Sequence, residues 1–185
     1  MTMKQLLWRM SAGALAAFAA VVALPAAAHA SSGPYQIVQK YSLKCMDVRD
    51  GSTSPGAYVQ QYGCNGTPAQ RWTLDPVPNT TDTYTFTNAD GLCLEDRSSF
   101  GFNGAPVDQA QCNPSAAQFQ WKLIGPYVFF SVPGAWYQIQ NVANPRCLDS
   151  EFSTDDSKIL LLNDCGTPTA GGGGWWNQQW EFTFQ

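Results

Sequence analysis

The segment CMDVRDGSTSPGAYVQQYGCNGTPAQRW, residues 45–72, contains a pattern that the chain repeats twice more. It begins with a cysteine, a large apolar residue and an acid. A second cysteine follows 19 residues after the first, and the segment ends on a tryptophan. The first cysteines of the three copies are 48 and then 54 residues apart. A period near 50 that carries several residue types together indicates an internal structural repeat. The other two copies contain Cys93, Cys112 and Trp121, and then Cys147, Cys165 and Trp180.

Each repeat opens with a short run of alternating residues that begins with a tyrosine, as in Tyr35-Gln-Ile-Val-Gln39. Similar runs begin at Tyr84 and Tyr137. Alternation of aromatic or β-branched residues with polar ones is typical of a strand with one buried face. The part of the chain after residue 30 lacks sustained helical periodicity, and glycine and proline interrupt it often. The sequence therefore predicts an all-β protein whose three small units share one core.

Residues 1–30 have the pattern of a signal peptide. Lys4 and Arg9 supply positive charge, an apolar run follows, and Ala28-His-Ala30 has the small-x-small form of a cleavage site. The apolar run is short for a membrane span, and Pro25 interrupts it. We therefore expect cleavage after Ala30, secretion, and a single domain over residues 31–185 with repeats at about 34–78, 79–126 and 127–185.

Charge and composition exclude several functions. After residue 30 the chain has 8 Lys and Arg against 14 Asp and Glu, a formal charge of −6. This acidity disfavours nucleic acid and anionic membranes as partners, and the sequence predicts no membrane insertion. The single histidine, His29, lies in the expected signal peptide, which argues against Ser-His and Cys-His catalysis and histidine-containing metal sites. We expect no cofactor, no metal and a monomer.

The cysteines are expected to form disulfides, because an even number in an exported chain indicates oxidised pairs. Six cysteines allow many pairings, and the sequence alone does not choose among them. If each repeat is the same structure, each closes its own bridge. The bridges would then be Cys45–Cys64, Cys93–Cys112 and Cys147–Cys165.

The jointly placed Cys-[Leu/Met]-[Asp/Glu], Val-x-x-aromatic-x-Cys and Gln-x-Trp features resemble the ricin-type lectin family. The resemblance covers nearly all of residues 31–185. It implies a β-trefoil of twelve strands, six in a barrel and six in a triangular cap. It also implies one shallow sugar pocket per repeat, of which only some are active.

The first repeat has the most complete set of residues for such a pocket. A carboxylate accepts hydrogen bonds from neighbouring sugar hydroxyls, and an aromatic ring covers the apolar face of a sugar. By the resemblance, Asp47 is the carboxylate, Gln60 the polar partner, Tyr62 the stacking ring and Gln70 the Gln-x-Trp glutamine. Ala69 departs from the asparagine that is frequent in the family.

The other two repeats are less complete. The second has Glu95 in place of aspartate, Ala110 in place of the ring and Phe119 in place of the glutamine, so we expect it to be structural only. The third lacks the ring but has a glycine-rich insertion, Thr167–Asn177, and we hypothesise that one of its two tryptophans covers the third carboxylate. The residues assigned to this third pocket are Asp149, Asn177, Gln178, Trp175 and Trp176.

The sequence thus predicts a secreted, non-catalytic carbohydrate-binding protein for galactoside- or xylan-like glycans. An enzyme is disfavoured because a glycosidase needs two carboxylates that face one bond. The adjacent acids Glu95-Asp96 and Asp155-Asp156 would point to opposite faces of a strand or into solvent. The alternative is a protein-binding β-trefoil, such as a protease inhibitor or a toxin-associated subunit, with the insertion as its contact.

Overall fold

The computed structural model describes residues 30–98, 101–129, 132–167 and 175–185. These residues form strands connected by turns and short 3₁₀ segments. The expected signal peptide, apart from Ala30, and residues 168–174 of the insertion lie outside the described residues. Within the described ranges, no helix has the length and apolar character needed to span a membrane.

Six strands form a closed antiparallel barrel, two from each repeat. They are β1 (Ser32–Gln39), β4 (Trp72–Pro76), β5 (Thr83–Asn88), β8 (Trp121–Phe129), β9 (Val132–Asn141) and β13 (Trp180–Phe184). Strand β1 pairs with β4, β4 with β5, β5 with β8, β8 with β9, β9 with β13, and β13 with β1. The ring of pairings leaves no open edge among these six strands, which removes the aggregation hazard of an unpaired edge.

The remaining strands form three hairpins that make up the cap. They are β2 (Cys45–Val48) with β3 (Val59–Tyr62), β6 (Leu92–Asp96) with β7 (Ala105–Gln111), and β10 (Cys147–Asp149) with β11 (Lys158–Ile159) and β12 (Leu161–Asn163). The family resemblance implied twelve strands, and the described residues form thirteen. The third return strand is divided at Leu160, whose N–H donates to the carbonyl of Val59 at 3.0 Å.

The three hairpins contact one another through equivalent backbone hydrogen bonds. In each case the donor is the backbone N–H eight residues before the second cysteine of one repeat. The acceptor is the backbone carbonyl three residues before the second cysteine of another repeat. These bonds join Gly56 N to Gln109 O at 2.6 Å, Gly104 N to Leu162 O at 2.9 Å, and Ser157 N to Gln61 O at 3.0 Å. The threefold pattern of the sequence is therefore a threefold pattern of contacts.

The core is built from four sets of three equivalent residues, all with no exposed surface. Each repeat contributes one residue from its first strand, the residue after its first cysteine, one residue of its return strand and its tryptophan. The sets are Ile37, Phe86 and Ile139; Met46, Leu94 and Leu148; Val59, Val107 and Leu160; and Trp72, Trp121 and Trp180. The prediction that these tryptophans are core residues is confirmed.

Each core tryptophan also makes a hydrogen bond inside the core. Its indole N–H donates to the carbonyl of the residue after the first cysteine of the same repeat. The three bonds are Trp72 to Met46 at 3.2 Å, Trp121 to Leu94 at 3.0 Å and Trp180 to Leu148 at 3.1 Å. A buried indole thus has its one donor satisfied.

The predicted disulfide pairing is confirmed. Each bridge lies within one repeat, between the first strand of the cap hairpin and the segment that follows its return strand. The bridges are Cys45–Cys64, Cys93–Cys112 and Cys147–Cys165. In the chain-entropy account, closing a loop of this size stabilises the fold by about 3 kcal/mol.

Replacing Trp72 by phenylalanine should lower the free energy of unfolding by about 2 kcal/mol. The substitution removes the indole bond to Met46 and leaves a void in a fully buried site. Urea unfolding followed by circular dichroism measures the change. As a matched control, Trp175→Phe alters a side chain that is 42% exposed and should cost less than about 1 kcal/mol. Equal losses in the two variants would contradict the core assignment of Trp72.

Candidate functional site

An open cleft of about 460 Å³ lies over the cap hairpin of the first repeat, and we call it the first-repeat cleft. Strand β2 contributes Asp47, and β3 contributes Gln60 and Tyr62. The last two are two residues apart and therefore lie on one face of the strand. The cleft is lined by Asp47, Asp50, Gly51, Thr53, Gln60, Tyr62, Asn65, Thr67, Pro68, Ala69, Asp90 and Ser157. The structure thus brings three of the four residues predicted for this pocket together.

Asp47 is fixed by two side-chain amides. It lies directly opposite Gln60 in the β2–β3 ladder, and the Nε2 of Gln60 donates to its Oδ1 at 2.9 Å. The Nε2 of Gln70 donates to its Oδ2 at 3.0 Å. Each carboxylate oxygen retains capacity for a further hydrogen bond. Asp47 is therefore a preorganised acceptor at the inner end of the cleft.

The fourth predicted residue, Gln70, lies behind the cleft and contacts it through Asp47. It is fully buried and is not a residue that lines the cleft. Besides Asp47, its Nε2 donates to the carbonyl of Gly63 at 3.0 Å, and its Oε1 accepts from the N–H of Asn65 at 2.8 Å. Gln70 therefore connects the carboxylate to the segment that flanks the disulfide, and it acts as a positioning residue behind the cleft.

Burial raises the pKa of Asp47 above its usual value, and the hydrogen bonds from Gln60 and Gln70 oppose this shift. The negative charges of Asp50 and Asp156 raise the pKa of Asp47 further. The Asp47 carboxylate therefore lies in a locally negative field. This field favours its protonated form and also attracts hydrogen-bond donors.

In the second repeat, two carboxyl groups take the places of Asp47 and Gln60. Glu95 and Asp108 are direct cross-strand neighbours in the β6–β7 ladder. The Nη1 of Arg97 lies 3.3 Å from the Oδ2 of Asp108, and its guanidinium lies 5.1 Å from the ring centre of Tyr58. The equivalent of Gln70 is Phe119, which is buried and apolar. This arrangement is an internal acid pair with a covering arginine.

The pKa of Asp108 is raised to about 7. Burial is the main cause, the charge of Glu95 adds to it, and Arg97 opposes it. A hydrogen bond with Glu95 and the charge of Asp96 raise the value further. Near neutral pH the Asp108 carboxyl is therefore protonated in a substantial fraction of molecules.

In the third repeat, Asp149 is held by more donors than Asp47. The Nε2 of Gln178 donates to its Oδ2 at 2.9 Å, and the Nδ2 of Asn177 donates to its Oδ1 at 2.6 Å. The backbone N–H of Glu151 also donates to Oδ1, at 2.5 Å. Leu161, opposite Asp149 in the ladder, supplies no polar group. The predicted polar residues of this repeat are therefore brought together and bonded to one another.

The two tryptophans of the insertion have separate environments. Trp175 packs on the backbone of Gly166, since a Cβ placed there would lie 1.9 Å from its ring. The ring centre of Trp176 lies 5.1 Å from the Nζ of Lys40, and Trp136 lies on that ammonium at 5.3 Å. Burial lowers the pKa of Lys40 to about 8. These contacts give Trp175 and Trp176 structural partners, and the cover of Asp149 by an indole stays a hypothesis.

Among the lining residues of the first-repeat cleft that the sequence did not predict are two aspartates and a serine. Asp50 and Asp90 each precede a glycine in a turn, and Ser157 comes from the third repeat. Gly91 adopts a φ of 77° in the β5–β6 turn, a conformation that favours glycine and that positions Asp90. The two Asp-Gly pairs were a local signal for turns, but only the fold places them at one cleft.

The acid pair predicts a pH-dependent stability. In the unfolded chain Asp108 titrates near 3.8, whereas in the folded protein its pKa is about 7. Between these values the folded state holds a proton that the unfolded state releases. The free energy of unfolding should therefore fall as pH rises from about 4 to about 7, by at most about 1.4 kcal/mol per pH unit, and stay level above that window.

The variant Asp108→Asn removes this titration, so its stability should change less over the same window. Urea unfolding at a series of pH values measures both proteins. Asp82→Asn, on an exposed turn, is the matched control and should follow the parent. Parallel curves for the parent and Asp108→Asn would show that Asp108 does not carry the dependence.

Similar folds are found in several solved structures. The designed threefold symmetric protein ThreeFoil is 27% identical, with a TM-score of 0.69 over 83% of this chain and 100% of its own. The exo-β-1,3-galactanase 1,3Gal43A from Clostridium thermocellum is 24% identical, with a TM-score of 0.68, and the match covers 83% of this chain and 30% of the enzyme. A ricin B-like lectin from Macrolepiota procera, solved with lactose, is 14% identical, with a TM-score of 0.63 over 83% of this chain and 98% of the lectin.

Among curated proteins, none matches this sequence significantly. The model of the family described as "Ricin-type beta-trefoil lectin domain-like" matches residues 21–95 and 80–163, which together make up more than half of the chain. The closed barrel, the three-hairpin cap and this match agree with one another. The chain belongs to the ricin-type β-trefoil lectin domain-like family.

Proposed function

We propose that the protein is a secreted, non-catalytic carbohydrate-binding protein that recognises galactoside- or xylan-like glycans through the first-repeat cleft. The observation that carries this proposal is the preorganised Asp47 carboxylate in an open cleft that also contains the ring of Tyr62. Family membership supports carbohydrate binding in general. A galactanase and a lectin crystallised with lactose are among the similar structures, which favours galactosides.

The residues of the cleft match the two chemical faces of a sugar. Asp47 accepts hydrogen bonds from neighbouring hydroxyls without rearrangement, because Gln60 and Gln70 already hold it. Tyr62 is 38% exposed and can cover the apolar C–H face of the ring. Side chains that are fixed before binding lose little conformational entropy when the ligand arrives.

The same geometry supports binding rather than hydrolysis. Asp47 is the one buried carboxylate among the described residues of the cleft, and amide hydrogen bonds from Gln60 and Gln70 hold it as an acceptor. The other acids of the cleft, Asp50 and Asp90, are exposed to solvent. Glycoside hydrolysis by paired carboxyl groups requires two of them set on either side of one bond.

Secretion is supported by the N-terminal pattern that ends at Ala30 and by the three disulfides, since such bridges persist in oxidising compartments.

The protein acts as a monomer. A single open site orders few groups, so its affinity for one sugar is weak, and a multivalent glycan provides the useful avidity.

A glycan array tests the proposal, followed by titration of the best glycan with two variants. Asp47→Asn removes the charge that strengthens the acceptor and should weaken binding at least tenfold, since charge-assisted hydrogen bonds contribute about 1.5–3 kcal/mol. Tyr62→Ala should weaken it roughly fivefold, or about 1 kcal/mol. Tyr41→Ala is the matched control, because Tyr41 is 42% exposed and does not line the cleft.

Unchanged binding in both Asp47→Asn and Tyr62→Ala would place the sugar elsewhere on the protein. If the parent protein binds no glycan, the proposal fails and the alternative of a protein-binding β-trefoil is favoured. Unfolding curves of each variant show whether a loss of binding is a loss of fold.

A further inference from the structure

The first-repeat cleft is rich in hydrogen-bond acceptors and in negative charge. Three of its lining residues are aspartates, Asp47, Asp50 and Asp90, and none of the described residues that line it is lysine or arginine. Asp50 comes from the turn after β2, whereas Asp90 comes from the β5–β6 turn of the second repeat. The acidic character of the cleft is therefore a product of two repeats.

Nearby cations neutralise this charge only in part. Arg49 lies 3.8 Å from Asp50, but the side chain of Asp50 is 89% exposed, and such exposed pairs are weak. Lys44 is bonded to Asp156 at 2.7 Å, and Arg71 donates to the carbonyl of Gly66. The negative charges of Asp50 and Asp156 both raise the pKa of Asp47.

Gln60 provides a second, independent indication of what the cleft binds. Gln60 is 97% buried and lines the cleft, and its Nε2 is used by Asp47. Its Oε1 is buried and has no hydrogen-bond partner among the described residues. A buried acceptor without a donor costs about 1–3 kcal/mol, which a ligand that supplies a donor would recover.

We propose that the first-repeat cleft selects hexosamines with a free, protonated amine over the parent hexoses, and that it rejects uronic acids. Asp50 and Asp90 are the residues that determine this specificity, and Gln60 accepts one of the ligand's hydrogen bonds. An ammonium group carries three donors and a positive charge, which suits a cleft of acceptors in a negative field. A carboxylate meets like charges there. This inference rests on the proposed carbohydrate-binding function.

The test compares four sugars of one series: galactose, galactosamine, N-acetylgalactosamine and galacturonic acid. Titration of ¹⁵N-labelled protein, followed by NMR at about pH 6 and low salt, measures weak affinities, and at this pH the sugar amine is protonated. The glucose series is measured in the same way. Galactosamine or glucosamine should bind about threefold to tenfold more tightly than its parent hexose, and the uronic acid should bind more weakly than either.

Variants of the two aspartates test whether Asp50 and Asp90 cause the preference for the amino sugar. In the double variant Asp50→Asn, Asp90→Asn, the affinity for the amino sugar divided by that for the neutral hexose should fall towards one. The same ratio should fall for the unsubstituted protein in about 0.5 M NaCl. Asp82→Asn removes the same charge outside the cleft and should keep the ratio. Ethanolamine carries the amine without the sugar ring and should not displace galactosamine from the cleft. If ethanolamine competes as strongly as galactosamine does, the cleft recognises the amine alone and not the sugar.

The outcomes separate the two proposals. If no sugar of either series binds and no array glycan binds, the carbohydrate-binding function fails. If the neutral hexose binds as tightly as its amine, the carbohydrate-binding function stands and the hexosamine preference is wrong. An amine preference that persists in the Asp50→Asn, Asp90→Asn protein would overturn the role of these two residues.

Discussion

The hydrogen bond from each core indole to the carbonyl after the first cysteine is the interaction on which the rest of the structure depends. It joins the last barrel strand of a repeat to the first strand of its cap hairpin. The residue that accepts this bond, such as Met46, points into the core. Because side chains alternate along a strand, the next residue points to the opposite face. The core contact therefore fixes the acid of each repeat at the position where a pocket can form.

The three repeats use this shared geometry for different chemistry. The acid at that position faces Gln60 in the first repeat, Asp108 in the second and Leu161 in the third. Gln70 and Gln178 make equivalent bonds to their carboxylates, to a backbone carbonyl and from a backbone N–H. The change from Gln60 to Asp108 across the ladder, together with Glu95 and Phe119 in place of Asp47 and Gln70, replaces an acceptor site by a pair of acids. The fold tolerates such changes because the core residues do not take part in them.

Much of the fold could be predicted because its determinants are local and repeated. The cysteine spacing, the alternating strands and the tryptophans follow from the period, and the structure confirms their roles. The site was harder to predict. Gln70 is a predicted sugar-binding residue, and in the structure it lies fully buried behind Asp47, because its amide bonds to that carboxylate and to the carbonyl of Gly63. Trp175 packs on Gly166, on the other side of the insertion, and Trp176 packs on Lys40, which is far from it in the sequence.

The sequence by itself determined the threefold plan and the carboxylate positions, since both depend on spacing within one repeat, and the disulfide pairs followed once each repeat was taken to be the same structure. Only the tertiary structure decided which residues share a cleft. Asp50, Asp90 and Ser157 belong to three different repeats, and they meet because the hairpins of the cap pack around one axis. The backbone bonds between hairpins recur three times, whereas these three side chains meet only at this cleft, so their meeting leaves no periodic trace in the chain.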